Sequence, residues 1–193
     1  MILNQLLSYC TNGAQEDLDK MRMLTALLCH KDVLIKNKLQ FLHFTISAII
    51  LNRKRDHILM IYDKLKKIWT WFEVHINNDS EIIQSLIKEI KNKTGLRKVT
   101  LLCNQILSIQ IVSEDNYLQI HPPSDLQVIP HFHYTLTFAF MANMNHLTPG
   151  KSSQIYTKWI SLERIEQYVQ SDSLLCAIKK VTERCRLLFS PHK

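Results

Sequence analysis

The stretch from Val74 to Leu96 reads VHINNDSEIIQSLIKEIKNKTGL. Ile82, Ile83, Leu86, Ile87 and Ile90 recur at steps of three and four, which makes one apolar stripe of an α-helix. Asn78 and Glu81 have the spacing of a capping box, and Gly95 suits the position just past a helix end. The pattern predicts a helix over 79–94 that packs on a sheet through Ile83, Leu86, Ile87 and Ile90. Lys88, Glu89, Asn92 and Lys93, three and four apart, share another face of it. From Lys88 to Lys98 the basic side chains Lys88, Lys91, Lys93, Arg97 and Lys98 stand against Glu89 alone. A hard cation such as Mg²⁺ needs oxygen ligands, usually one or two carboxylates plus substrate phosphate. This face offers one carboxylate with Lys93 a turn away, so its field repels cations and attracts anions.

Read without gaps, the stretch resembles the Nudix box, G-x5-E-x7-R-E-U-x-E-E-x-G-U with U apolar. Lys88 takes the Arg position, Glu89 the first Glu, Ile90 the apolar site, Gly95 the Gly and Leu96 the last apolar site. Val74 replaces the first Gly, Ser80 the Glu before the helix, and Asn92 and Lys93 the Glu pair. The flanks are similar to a bacterial Nudix branch with a helical N-terminal extension. His43-Phe44-Thr45-Ile46-Ser47-Ala48 matches H-x-T-A-S-A, Lys64-Leu65 with Trp69 and His75 matches K-L-x-x-W-L-Q-P-G-G-H, and Pro130-His131-Phe132-His133-Tyr134 matches P-H-x-H-Y. Trp159-Ile160-Ser161-Leu162 resembles the W-h-x-L that opens the last helices. Thr135 and Thr137 stand where the branch has D-x-R, and Ser152 and Ser153 where it has an acidic residue.

The resemblance implies an α/β fold: a Nudix-like α/β/α sandwich with a mixed central sheet and an N-terminal helical hairpin. It implies an N-terminal extension over 1–38 and the main domain over 39–193. It also implies a hydrolase of nucleoside diphosphates linked to another group, with Mg²⁺ as cofactor if the chain is active and none otherwise. The missing carboxylates favour an impaired enzyme that binds a nucleotide or other phosphorylated ligand through Lys88 and Lys93, with His75 and Trp71 beside them. Glu89 is then the vestige of the catalytic and metal-binding group. An active hydrolase and a protein–protein adaptor on the same scaffold are the alternatives.

Composition agrees with one globular unit of ordinary core content: 193 residues, 46% hydrophobic, 21% charged and a net charge of +7. Three glycines leave no glycine-rich phosphate loop. The charge favours an anionic small molecule as partner, and nucleic acid is not expected. Five cysteines (Cys10, Cys29, Cys103, Cys176 and Cys185) lack C-x-x-C spacing and read as reduced thiols of a cytoplasmic protein. The start at Met1 has no signal-peptide pattern, and the apolar run Phe44–Leu51 is too short to span a bilayer.

Along the rest of the chain, residues 1–10 and 16–30 carry leucines and methionines at helical spacing around Asn12-Gly13. Strands are expected over Phe44–Ile50, Ile58–Tyr62, Trp69–Ile76, Leu101–Val112, His133–Met141 and Ile155–Ile160, and helices over Ser161–Val169 and Asp172–Phe189. His131 and His133, two apart on a strand, face the same way. With His121 and His75 they are the histidines to test for zinc, but no cysteine joins them at ligand spacing. The resembling family carries similar histidines without a structural zinc, so a zinc centre is not the expectation. Trp71 is the candidate for stacking on a base.

Overall fold

The computed structural model describes residues 2–29, 41–64, 66–76, 82–114, 131–144 and 155–189. Two helices come first, α1 (Ile2–Ser8) and α2 (Ala14–Cys29). Strands β1 (Leu42–Leu51), β2 (His57–Asp63), β3 (Ile68–Thr70) and β4 (Phe72–His75) precede helix α3 (Ile82–Thr94). Strands β5 (Val99–Leu101), β6 (Ser108–Glu114), β7 (His131–Ala142) and β8 (Ile155–Ser161) follow, then a short 3₁₀ helix (Leu162–Gln167) and α4 (Asp172–Leu188).

β1 and β7 form the spine of a mixed sheet. They pair in parallel from Leu42↔Phe132 to Leu51↔Met141, and every other pairing in the sheet is antiparallel. Side chains alternate across a strand, so this register separates two faces. Phe44, Ile46, Ala48 and Ile50 share one face with Tyr134, Leu136, Phe138 and Phe140, in a core that also holds Ile2, Leu6, Met23, Ile82, Leu86 and Ile90. Helices α1, α2 and α3 therefore cover that face. Ile49, Leu51 and Ala139 lie on the other, packed with Trp71, Ile165, Ala177, Ile178 and Val181, so α4 covers it. The layers are those of the expected α/β/α sandwich.

Four expected elements differ in detail. The strand expected over Trp69–Ile76 is broken at Trp71, because β3 pairs with β2 while β4 pairs with β1. The buried Trp71 ring anchors the crossing between them. The strand expected over Leu101–Val112 is two strands on one edge of β7. Residues 102–107 bulge between them and stay tethered by Leu102 N–H to Ala139 O (2.9 Å) and Leu107 N–H to Thr137 O (2.8 Å). The helix expected over Ser161–Val169 is a 3₁₀ helix whose one buried side chain is Ile165. In α3, Ile82, Leu86, Ile90 and Thr94 are buried, with Ile83 and Ile87 on the flank, so the stripe is rotated slightly from the expectation. Gly95 ends the helix at φ 72°, with its N–H on Lys91 O at 2.8 Å. The expected cap at Asn78–Glu81 and the linker over 115–130 lie outside the described residues.

The N-terminal helices are tied to α4 by a buried charge network. Glu16 accepts from Lys180 Nζ (2.5 Å), Tyr9 Oη (2.7 Å) and Asn12 N–H (2.7 Å). Arg184 donates to Tyr9 Oη (2.5 Å) and to Leu107 O (2.7 Å). Burial pushes the Glu16 carboxyl up, but the hydrogen bonds from Lys180, Tyr9 and Asn12 outweigh it and hold the carboxyl below its ordinary value. Burial likewise pushes the Tyr9 hydroxyl far up, so it donates at every physiological pH. Glu16→Ala strands both cations and should cost about 2–3 kcal/mol in denaturant unfolding, less than a fully buried pair because both keep some access to water. A depressed carboxyl stabilises the fold above its unfolded pKa of about 4.3, and that contribution fades as pH falls through the folded value. The gap between wild type and Glu16→Ala should therefore narrow below about pH 4.

Candidate functional site

Helix α3 carries the residues expected to meet an anion. Lys88, Lys91 and Asn92 are exposed. Glu89 is held by Lys93, with Nζ at 3.2 Å from Oε1 across one turn. The one carboxylate kept at a box position is thus already neutralised by an ammonium, and a divalent cation would have to displace it. Among the described residues no cluster of metal-ligating side chains includes Glu89.

A second constellation lies on the opposite face of the sheet. There the odd-numbered positions of three adjacent strands bring together His43, Thr45 and Ser47 of β1, Glu73 and His75 of β4, and His131, His133, Thr135 and Thr137 of β7. The register sets His43 beside His133, and Thr45 between His75 and Thr135. The His43 ring centre lies 4.8 Å from that of His75, 5.0 Å from His131 and 4.6 Å from His133. His43 and His133 are buried, as are Thr45, Ser47, Thr135 and Thr137.

Hydrogen bonds order this cluster. His133 Nδ1 lies 3.0 Å from Glu73 Oε1, and its Nε2 lies 3.0 Å from His131 Nε2. Burial pushes the Glu73 carboxyl up, but bonds from His133, Thr45 and Trp71 and the charge of His133 prevail, so it is held below its ordinary value. An ionised carboxylate only accepts, so His133 carries its proton on Nδ1. The other ring nitrogen, Nε2, faces His131 Nε2. The network continues through Thr45 Oγ1 to Thr135 Oγ1 (3.0 Å), with Ser47 Oγ and Thr137 Oγ1 paired alongside at 2.7 Å.

The predicted site residues are therefore divided. Lys88, Glu89 and Lys93 stay together on α3, whereas His75 joins the histidine cluster across the sheet. Trp71 is only 4% exposed and packs in the core against α4, with Nε1 donating to Glu73 Oε2 at 3.3 Å. It has no open face for a base, which corrects its reading as a stacking residue. His121 lies outside the described residues. Sequence reasoning missed His43 and Glu73 as members of a site. Their signal was the shared odd parity with His131, His133 and His75, which becomes informative only once β1, β4 and β7 are known to be neighbours.

No family profile and no curated protein matches the chain in sequence. Solved structures do match in fold. A NUDIX-family hydrolase from Clostridium perfringens superposes with a TM-score of 0.54 at 18% identity, covering 76% of this chain and 99% of its own. The E. coli dihydroneopterin triphosphate pyrophosphohydrolase gives 0.51 at 12% identity, covering 78% and 99%. A NUDIX hydrolase from Nitrosomonas europaea gives 0.52 at 14%, covering 78% and 96%. The mixed sheet spined by β1 and β7, with helices on both faces, is the Nudix hydrolase fold.

Proposed function

We propose that this chain is a Nudix-fold protein impaired in Mg²⁺-dependent hydrolysis, which binds a nucleotide or other phosphorylated ligand on the basic face of α3. The observation that carries the reading is the Glu89–Lys93 ion pair. It replaces the carboxylate cluster of a box helix with a neutralised pair, beside the exposed Lys88 and Lys91. Lysine is a flexible point charge suited to phosphate, so these side chains neutralise an anion without a metal. The E. coli fold relative is a dihydroneopterin triphosphate pyrophosphohydrolase, which supports a phosphorylated class of ligand. Five free cysteines support a cytoplasmic setting, and no helix among the described residues is long and apolar enough to cross a membrane.

Turnover of nucleoside diphosphate sugars and dinucleotides with Mg²⁺ should fall well below about 1 per second, and Glu89→Gln should leave it unchanged. Turnover at or above that rate, lost in Glu89→Gln, would establish the active-hydrolase reading instead.

Calorimetry with a nucleoside diphosphate sugar in EDTA should show binding that weakens as salt rises, because the attraction is screened over about 8–10 Å at physiological ionic strength. The Lys88→Ala/Lys93→Ala double variant should bind more weakly than wild type. No binding in EDTA, or binding that requires Mg²⁺ and ignores both lysines, overturns the proposal.

A further inference from the structure

One imidazole nitrogen from each of His43, His131 and His133 lies within 4.8 Å of the other two, on strands paired residue by residue. A zinc-class ion holds imidazole nitrogens at about 2.0–2.1 Å, which sets two of its ligands roughly 3.3 Å apart. The 3.0 Å separation of His131 Nε2 and His133 Nε2 is already near that value. His43 offers a third imidazole nitrogen within 4.8 Å of both.

The surroundings are those of a ligand set rather than of a packed aromatic cluster. Histidines that bind metals commonly donate their second nitrogen to a carboxylate, which selects the tautomer and raises the basicity of the ligating nitrogen. Glu73 does this for His133, and Glu73 is itself held by Thr45 and Trp71. With Nδ1 of His133 on Glu73, its Nε2 is the nitrogen left facing His131. We propose that His43, His131 and His133 form a binding site for a divalent transition-metal ion of the zinc class, oriented by Glu73 and bordered by His75. The donors are imidazoles, which suit zinc, cobalt or nickel and disfavour Mg²⁺. Three protein nitrogens leave a fourth position for water or for His75, whose ring centre lies 5.3 Å from that of His133. The site is on the sheet face opposite α3, so it stands independently of ligand binding by Lys88 and Lys93.

Cobalt(II) reports directly on such a site through its visible absorption. Protein stripped with chelator should take up one equivalent of cobalt(II), with a saturable band that zinc abolishes, and zinc should raise Tm. Affinity should fall as pH drops, because protons compete for the imidazoles. His131→Ala, at a half-buried position that tolerates truncation, should lose the band. Glu73→Gln should weaken zinc about 10–100-fold while keeping the band's shape. His57→Gln, a surface histidine outside the cluster, should bind as wild type. Circular dichroism and thermal melts establish that each variant is folded. Stripped wild type that takes up neither cobalt nor zinc overturns the proposal, as does full binding by folded His131→Ala and Glu73→Gln.

Discussion

The parallel pairing of β1 with β7 is the constraint on which the rest of this structure depends. Its ten consecutive partners are about ninety positions apart in the chain, from Leu42↔Phe132 to Leu51↔Met141. Closing so long a loop is entropically costly, though the cost grows only slowly with length. Both strands must be covered on both faces to offset it, and β1 is buried from His43 to Leu51. The edge of β1 away from β7 is shared by β2 at Ile50–Leu51 and β4 at Thr45–Ala48, while β5 and β6 share the edge of β7. Both breaks in the expected strands, at Trp71 and over 102–107, follow from serving these two central strands.

The register also gives the two faces different chemistry. Phe44, Ile46, Tyr134, Leu136 and Phe138 make a dry face for α1, α2 and α3. On the other face, α4 covers Ile49, Leu51 and Ala139, but toward the start of both strands the same face turns to histidine and threonine. Burying hydroxyls and imidazoles costs free energy unless partners are supplied, and here cross-strand neighbours supply them: Thr45 with Thr135, Ser47 with Thr137, Glu73 with His133. Aliphatic residues at these positions would avoid that demand.

Helix α3 divides packing and charge between two faces. Its buried stripe and C-terminal glycine still meet the demands of packing on the sheet. Its outer face answers to no such demand, and Lys88, Lys91 and Asn92 are exposed there. On that face Glu89 is paired with Lys93. Fold and chemistry separate here because they reside on different faces of one helix.

The sequence by itself determined the elements whose signals are local. The α3 stripe, the glycine stop, the alternation of β1 and β7 and the amphipathic α4 are all written within windows of ten to twenty residues, where periods of 3.6 and 2 decide which side is buried. The charge of the α3 outer face was legible for the same reason, because neighbours one turn apart are neighbours in the chain. Only the tertiary structure decided that His43 and Glu73 join His75, His131 and His133, that Trp71 lies in the core, and that His75 sits across the sheet from Lys88. Those relations depend on strand register over long separations, where a slip of one residue would send every histidine to the opposite face.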